Sequence, residues 1–367
     1  SRPASPSAWT TSPRPLRPGR AHALAEACGH DDDVDGRGGH GVGRSRDRLI
    51  LRGPGARRAG GARAFLQAVR AFGAARNVDA GAGGIRASFE AASDAVLNNA
   101  ATSSPDNHGI LAAMAIIAVF NQKGGVGKTT TSLNLMAGIA QRGRRPVGVD
   151  LDPQGHLSHV FGTQPRAADD TVFGFFARQR PLQDIARVSR SGVVICPSHM
   201  ELAKLDAVLG KGVNVVTRLR HALRAPDAVE GPVVIDCCPL LNVLSLNAIF
   251  ACDLIVVPVS ADYLAVQGAK EVERALNALE PVFKQRLPRR YVITRFDMRR
   301  RMSAEVVAEM ARSFRPEEVC VTRIRENVKL AESPAEGLDV FRHAPESRGA
   351  RDYEALLDEL VGAGFLR

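Results

Sequence analysis

Short apolar runs alternate with amphipathic stretches over most of the chain after residue 114. The apolar runs are typical of buried strands, and the stretches between them have helical spacing. Because apolar strands are continuous and separated by helices, we expect a mostly parallel sheet that is covered on both faces. Ligands of such sheets bind at the carboxyl ends of the strands. The predicted strands are AIIAVF, RPVGVD, GVVICPS, GPVVIDC, DLIVVPVS, RRYVITRF and EEVCVTRI, and the clearest helices are 128–142, 264–280, 303–314 and 350–363.

The first 113 residues differ in composition from the rest of the chain. They contain no Lys, Met or Tyr, and they are rich in Arg, Ala, Gly and Pro. Few apolar residues occur there at regular spacing, so little burial offsets the entropy of ordering the chain. We expect residues 1–113 to be disordered or a translated leader, with the natural protein beginning at Met114 and one domain formed by residues 114–367. A genuine flexible tail is the alternative reading.

Charge and cysteine content narrow the class of protein. The formal net charge of +10 favours an acidic partner such as nucleic acid or an anionic membrane. The six cysteines show no Cys-x-x-Cys spacing, so neither a disulfide framework nor a zinc site is predicted. No apolar run reaches the roughly 18 residues of a membrane span, and we therefore expect a cytoplasmic protein.

The segment NQKGGVGKTT, residues 121–130, joins the first predicted strand to the first predicted helix. Its glycines allow backbone N–H groups to converge on phosphate oxygens, and the start of the helix adds its positive dipole end. Lys128 is then the charge clamp for the phosphates. The predicted nucleotide contacts are Lys123, Gly124, Gly125, Val126, Gly127, Lys128, Thr129 and Thr130.

A magnesium site completes the nucleotide site. The Thr129 hydroxyl is placed to bind Mg²⁺ between the terminal phosphates, and Asp236 ends an apolar strand from which it can hold the metal through water. Strand, glycine loop, helix and a later strand-terminal aspartate together predict a P-loop NTPase that uses ATP and Mg²⁺.

Lys123 is a second lysine in the loop, which phosphate binding alone does not require. The segment KGGVGKTT is the signature of the deviant Walker A ATPases, and residues 121–162, 233–239 and 327–337 resemble the ParA partition ATPases. The resemblance spans nearly all of residues 114–367. It implies a homodimer that sandwiches ATP, in which Lys123 reaches the phosphates of the other subunit and neutralises charge on the transferred phosphoryl group.

The segment DLDPQG follows the second predicted strand. The resemblance implies that Asp152 positions the attacking water and that Asp150 supports the magnesium shell in a secondary role. Asp150 has a second reading as a strand-end turn former. Residues 153–155 resemble the switch loop of the family, whose shape depends on the γ-phosphate. The implied catalytic residues are Lys123, Lys128 and Asp152.

Two segments depart from the family pattern. The family usually has Asp-x-Pro-Pro after the fourth strand, whereas Cys238 precedes Pro239 here and Asn242 stands where glycine is common. These departures affect the motion expected of the segment after the fourth strand, which acts as a switch in the family. They do not affect the predicted role of the Asp236 carboxylate as a metal ligand. Cys238 and its neighbour Cys237 are expected to pack as small buried residues. The family's Pro-Arg-Asn-Val is Arg-Glu-Asn-Val here, and the resemblance implies an adenine contact at Asn327.

Arginine is concentrated in the C-terminal third, most densely in FDMRRRMS. We expect this segment to be an exposed loop whose guanidinium groups bind phosphates without reading bases. The resemblance also implies nonspecific DNA binding by basic surface patches near this region. A solvated arginine-rich surface is the alternative reading. The predicted DNA contacts are Arg295, Arg299, Arg300, Arg301 and Lys329.

The expected function is that of a partition ATPase with slow basal turnover. It would bind nonspecific double-stranded DNA of the nucleoid as an ATP dimer and release it after hydrolysis stimulated by a ParB-like partner. A MinD-like membrane ATPase would need a basic amphipathic C-terminal helix, but YEALLDELVGAGFLR has an acidic polar face. A nitrogenase-reductase-like protein or metal chaperone would need suitably spaced cysteines. The cargo, whether chromosome, plasmid or protein cluster, stays open.

Overall fold

The computed structural model describes residues 115–366, except 166, 210–212, 226–227 and 229. The prediction that residues 1–113 are a disordered segment or a leader lies outside the described residues, as does the proposed start at Met114.

One eight-stranded sheet forms the centre of the described domain. Its strands are β1 (Ile116–Val119), β2 (Val147–Asp150), β3 (Arg187–Val188), β4 (Val194–Cys196), β5 (Val233–Asp236), β6 (Leu254–Ser260), β7 (Arg289–Phe296) and β8 (Val319–Arg325). Their spatial order is β3-β4-β2-β5-β1-β6-β7-β8, and every neighbouring pair is parallel except β3 with β4. The predicted mostly parallel sheet is confirmed. The short antiparallel strand β3 was not predicted from the sequence, because two residues are too few to show an alternating pattern.

Helices cover this sheet, and several of them are shorter than two turns. They are α1 (Lys128–Gln141), α2 (His156–Val160), α3 (Val172–Arg178), α4 (Leu182–Ile185), α5 (Leu205–Val208), α6 (Val213–Val216), α7 (Arg218–Leu223), α8 (Val243–Ala251), α9 (Tyr263–Phe283), α10 (Arg301–Ser313), α11 (Val328–Glu332), α12 (Val340–His343) and α13 (Arg348–Gly362).

Strand β1 shows why both faces of the sheet are buried. Ile116 and Ala118 belong to one apolar cluster, which includes side chains of α9 and α10. Ile117 and Val119 belong to a second cluster, which includes side chains of α1 and α13. All four residues are fully buried, so a continuous apolar run is what this position in a sheet requires.

Helix α13 protects the β8 edge of the sheet. The Glu359 carboxylate accepts hydrogen bonds from the backbone N–H groups of Val321 (2.8 Å) and Thr322 (2.9 Å). Asp352 accepts one from the N–H of Arg325 at 2.8 Å and also pairs with its guanidinium. Carboxylates of α13 are therefore engaged within the fold, where they keep an open edge from pairing with another strand. Among the described helices, none is long and apolar enough to cross a membrane.

The strand register brings the predicted site residues to one edge. Asp236 at the end of β5 is the register partner of Val119 on one side and of Asp150 on the other. Because these strands are parallel, the loop after β1 emerges beside both aspartates. The loop and both aspartates therefore lie together at the carboxyl ends of the strands, where ligands of parallel sheets bind.

Candidate nucleotide-binding site

The loop between β1 and α1 has the backbone that anion binding requires. Gly125 and Gly127 have φ angles of 74° and 89°, in the left-handed region that favours glycine. A Cβ atom added at Gly124, Gly125 or Gly127 would meet no heavy atom within 4 Å, so the loop borders open space. Helix α1 begins directly after it, with its positive dipole end at the loop. The loop therefore fits a chain of phosphates.

Lys128 lies inside this loop. It is 7% exposed, and its Nζ donates a hydrogen bond to the carbonyl of Lys123 at 2.9 Å. Burial lowers the pKa of Lys128, and the nearby charges of Asp236 and Asp152 act in the opposite direction. An ammonium group held between a glycine loop and two carboxylates is placed as a phosphate clamp should be.

The side chain of Lys123 leaves the loop that its backbone helps to form. Its Nζ makes an ion pair of 2.5 Å with Oδ1 of Asp262, just after β6. The two side chains are 29% and 46% exposed. The Lys123 ammonium thus lies against Asp262, and its contact with a nucleotide stays a prediction.

Asp236 has the chemical properties of a ligand for a divalent cation. Its Oδ1 accepts a hydrogen bond from the Ser132 hydroxyl at 2.8 Å, whereas its Oδ2 is buried without a hydrogen-bond partner. Burial and then the charge of Asp150 raise the pKa of Asp236 to about 7, against the effect of the Thr129 and Ser132 hydroxyls. A divalent cation would satisfy the free oxygen and relieve the repulsion. Asp236 and Thr129 thus fit Mg²⁺, for which oxygen ligands are preferred.

Asp150 is engaged by the loop that follows β2. Its Oδ2 accepts hydrogen bonds from the N–H (2.9 Å) and hydroxyl (2.7 Å) of Ser158, and its Oδ1 accepts one from the N–H of Asp152 at 3.1 Å. Burial raises the pKa of Asp150 to about 6. These contacts agree with the turn-forming reading of this residue, and its support of a magnesium shell stays a prediction.

Asp152 lies close to the clamp, as a catalytic role requires. It is half-buried, and its charge is among those that raise the pKa of Lys128. Its Oδ1 accepts a hydrogen bond from the N–H of Gln154 at 3.0 Å, and its carbonyl accepts one from the Ser198 hydroxyl at 2.5 Å. The switch loop is therefore tied to the end of β4. Positioning of the attacking water by Asp152 stays a prediction.

The departures after β5 have a local structural account. Cys237 and Cys238 are buried, as predicted. The Cys238 thiol approaches the Leu240 carbonyl at 3.8 Å and Asn242 Oδ1 at 3.6 Å. Asn242 caps α8 in a reciprocal pair of hydrogen bonds with Ser245. Local hydrogen bonds therefore shape this segment where the family has proline and glycine.

Three residues that support the loop were missed by sequence reasoning. Asn121 accepts a hydrogen bond from the N–H of Lys123 at 2.9 Å, and its amide donates to a β6 carbonyl. The Thr294 hydroxyl donates to the carbonyl of Val126 at 2.8 Å. Asp262 holds Lys123. The sequence does show polar residues near the carboxyl ends of β6 and β7, which could have suggested them. The order of residues along the chain, however, does not reveal which of them contact the loop.

The three consecutive arginines predicted to bind DNA are exposed and carry local acidic partners. Arg299, Arg300 and Arg301 are 90%, 60% and 93% exposed. The first two pair with Asp297, the second also pairs with Glu326 at 3.2 Å, and the third pairs with Glu305. Such exposed pairs contribute about 0–1 kcal/mol, so a phosphate can replace the carboxylate. The expected loop is shorter than predicted, because β7 extends to Phe296 and Arg301 is the first residue of α10. DNA binding by these arginines stays a prediction.

The other predicted contacts flank β8. Arg295 pairs with Glu326 at 3.2 Å, and Lys329 pairs with Glu332 at 2.8 Å. Asn327 caps α11 by accepting the N–H of Lys329 at 2.9 Å. Its oxygen therefore has a structural task, and the adenine contact stays a prediction.

Two further arginines of the C-terminal third are held by acidic side chains of the fold. Arg289 is fully buried and pairs with Glu273 and Glu280, while Arg286 pairs with Glu273 and Glu318. The arginine density of this third is therefore only partly a surface property.

Fold, loop and strand-terminal aspartate define a P-loop NTPase. A family model described as an AAA domain matches residues 114–288. The sporulation initiation inhibitor protein Soj of Bacillus subtilis is 33% identical over 251 residues, which cover 68% of this chain and 99% of Soj. The chromosome partitioning protein ParA of Myxococcus xanthus is 33% identical over 250 residues, covering 67% of this chain and 87% of that protein. The chain therefore belongs to the ParA family, within the ParA/MinD superfamily of ATPases.

A solved structure supports the same fold. Cobyrinic acid a,c-diamide synthase from Mycobacterium smegmatis, with bound ADP and magnesium, superimposes with a TM-score of 0.59 at 28% identity. The match covers 68% of this chain and 94% of that one.

Proposed function

We propose that this protein is a partition ATPase that binds ATP with Mg²⁺ and pairs with a second copy across the two nucleotides. The dimer binds DNA without sequence preference and releases it after hydrolysis. The observation that carries the proposal is the difference between two lysines of one loop. Lys128 is buried within the phosphate cradle, whereas the Lys123 ammonium lies outside it at the surface. A partly exposed lysine beside the cradle is available to the nucleotide of another subunit.

Each residue of the site has one task in this proposal. Lys128 and the loop N–H groups hold the phosphates, and Asp152 orients the attacking water. Thr129 and Asp236 hold Mg²⁺, which supplies positive charge to the terminal phosphates when bound. The partner's Lys123 neutralises charge on the transferred phosphoryl group, as an arginine finger does in other ATPases. Hydrolysis therefore needs both subunits.

Dimerisation also explains why DNA binding would depend on ATP. One subunit presents one group of exposed arginines at residues 299–301, and a dimer presents two. Each additional phosphate that is bound steepens the salt dependence by about 0.9 in log–log slope on duplex DNA. DNA is thus held by the ATP dimer and released by the separated subunits, which gives a nucleoid-associated protein. A ParB-like activator would set the time of release.

The binding surface favours DNA over a membrane. Exposed arginines follow β7, whereas carboxylates of the C-terminal helix α13 are engaged at the β8 edge. An anionic lipid surface attracts basic helices and repels acidic ones. The same ATP-gated hold on DNA would serve a replicon or a protein cluster as cargo.

The test is a fluorescence anisotropy titration on two unrelated duplexes with ATP, with ADP and without nucleotide. The full chain is compared with protein that begins at Met114, so that the arginine-rich first 113 residues do not contribute. We expect ATP to be required and the two duplexes to bind equally well. Equal binding without nucleotide in the shorter protein would contradict the proposal.

A further inference from the structure

Asp262 occupies a position in the site to which the proposed function assigns no task. It follows β6 by two residues and caps α9, accepting the N–H of Ala265 at 2.8 Å. The same oxygen, Oδ1, accepts the ammonium of Lys123 at 2.5 Å. The residue that begins a 21-residue helix therefore also holds the second lysine of the loop.

The carboxylate is fixed independently of the lysine. Its Oδ2 accepts the Ser260 hydroxyl at 2.5 Å, and helix α9 is anchored by a stripe of buried side chains. Burial alone would raise the pKa of Asp262, but hydrogen bonds from Lys123 and Ser260 bring it below its ordinary value. Two turns into α9, a Cβ added at Gly268 would lie 3.5 Å from the Cβ of Lys123. The helix thus offers a rigid carboxylate and close packing for the lysine stem.

The ion pair is strong enough to direct Lys123 and weak enough to be replaced. Both partners are partly exposed, so solvent screens their attraction. A terminal phosphate carries more charge than one carboxylate and can compete for the ammonium. The backbone of Lys123 is also linked to the phosphate-binding lysine. Its carbonyl accepts a hydrogen bond from the Lys128 ammonium, and a bound phosphate would engage the same ammonium.

We propose that Asp262 is a positioning residue that holds Lys123 in its own subunit until a second nucleotide-bound copy offers it a phosphate. The proposal rests on the proposed function, in which Lys123 acts across a dimer. Before ATP binds, Asp262 competes with dimer formation. After hydrolysis it takes the lysine back and favours separation of the subunits.

The informative variant is Asp262→Asn. Asparagine keeps the side-chain size and the oxygen that caps the helix, but it removes the charge that holds the lysine. Its amide nitrogen replaces Oδ2, so the Ser260 hydroxyl must accept a hydrogen bond there instead of donating one. The matched control is Glu271→Gln, which removes one negative charge from an exposed position of the same helix. Lys270, which pairs with Glu309, serves as an internal reference amine.

The first measurement concerns the contact itself. Nucleotide-free wild type and variants are acylated briefly with an amine reagent, and the labelling of Lys123 relative to Lys270 is read by mass spectrometry. We expect labelling of Lys123 to be about two- to fivefold faster in Asp262→Asn, as an exposed ion pair allows, and unchanged in Glu271→Gln. Equal labelling in wild type and Asp262→Asn would overturn the proposal.

The second measurement concerns its consequence. Sedimentation velocity across an ATP titration should place the dimerisation midpoint of Asp262→Asn at about two- to fivefold lower ATP than that of wild type. When Lys123→Ala is added to both proteins, their dimerisation midpoints should no longer differ. A purely structural effect of Asp262 would persist without the lysine. A midpoint that is unchanged or higher would overturn the proposal. If the labelling difference is found but neither protein dimerises with ATP, the hold on Lys123 is supported and the proposed function fails instead.

Discussion

Asp150 and Asp236 end neighbouring parallel strands as direct register partners, and both carboxylates are buried. Both side-chain oxygens of Asp150 accept hydrogen bonds from the following loop, whereas one oxygen of Asp236 has no hydrogen-bond partner. Asp236 therefore has an oxygen that can receive a ligand with no hydrogen bond to the loop being broken. The repulsion between them is what a bound cation would relieve.

This pair predicts that the nucleotide-free protein loses stability as pH rises from about 4 to about 7. The folded-state pKa values, about 6 for Asp150 and about 7 for Asp236, lie above the ordinary value of 3.8. In this window the folded state binds more protons than the unfolded state, so stability falls with pH. Urea unfolding at a series of pH values measures the slope. Asp236→Asn should remove about half of it, because burial keeps the pKa of Asp150 raised in the variant, and a slope unchanged in this variant would assign the titration to other groups.

ATP binding and ATP hydrolysis should be affected separately by two variants. Lys128→Ala should weaken ATP binding by about ten- to a hundredfold, because a hydrogen bond to a charged group contributes about 1.5–3 kcal/mol. Asp152→Ala should bind ATP and dimerise normally but lose turnover by on the order of a hundredfold or more. Calorimetric titration and phosphate release measure the two effects. Equal loss of ATP affinity in both variants would contradict the assigned roles.

The three exposed arginines at residues 299–301, here called the arginine loop, are expected to contribute DNA affinity that does not depend on sequence. Replacing Arg299, Arg300 and Arg301 by alanine should weaken binding to any duplex and reduce the salt slope by about 0.9 for each phosphate that is no longer bound. ATP-dependent dimerisation should be retained, because the proposal gives these side chains no role in the nucleotide site and their ion pairs are with Asp297, Glu305 and Glu326.

The control for that experiment removes the same charge elsewhere. Arg178, Arg190 and Arg351 are exposed and lie outside the arginine loop in the sequence. Their replacement by alanine should leave the salt slope close to that of wild type. If both triple variants lose affinity equally, net charge rather than this loop explains DNA binding.

Much of the sheet could be predicted because its strands are buried on both faces. Strand β7 was predicted with the bounds it has, Arg289–Phe296, and the loop glycines were correctly placed between β1 and α1. The region between β2 and β5 was predicted less well. Its helices α2 to α7 have four to seven residues, too few for a helical period to emerge.

The candidate site was predictable where its residues are close in sequence or end a strand. Lys128, Thr129 and Asp236 are of this kind. Asp262 was missed because it lies 139 residues from the lysine it holds, and only the parallel order of β1 and β6 brings the two together. The acidic partners of the arginine loop were missed for a different reason, since side-chain pairing on a surface leaves no periodic pattern.

The central claim, that Lys123 acts on the nucleotide of the other subunit, is tested most directly by mixing two inactive variants. In a mixed dimer of Lys123→Ala and Asp152→Ala, the nucleotide on the first subunit has its own Asp152 and receives Lys123 from the second. One of the two sites is then complete. The measurement is ATP hydrolysis by each variant alone and by an equimolar mixture. We predict that both variants are inactive alone and that the mixture recovers up to about a quarter of wild-type turnover for random pairing. No recovery in a mixture shown by sedimentation to contain mixed dimers would contradict the account.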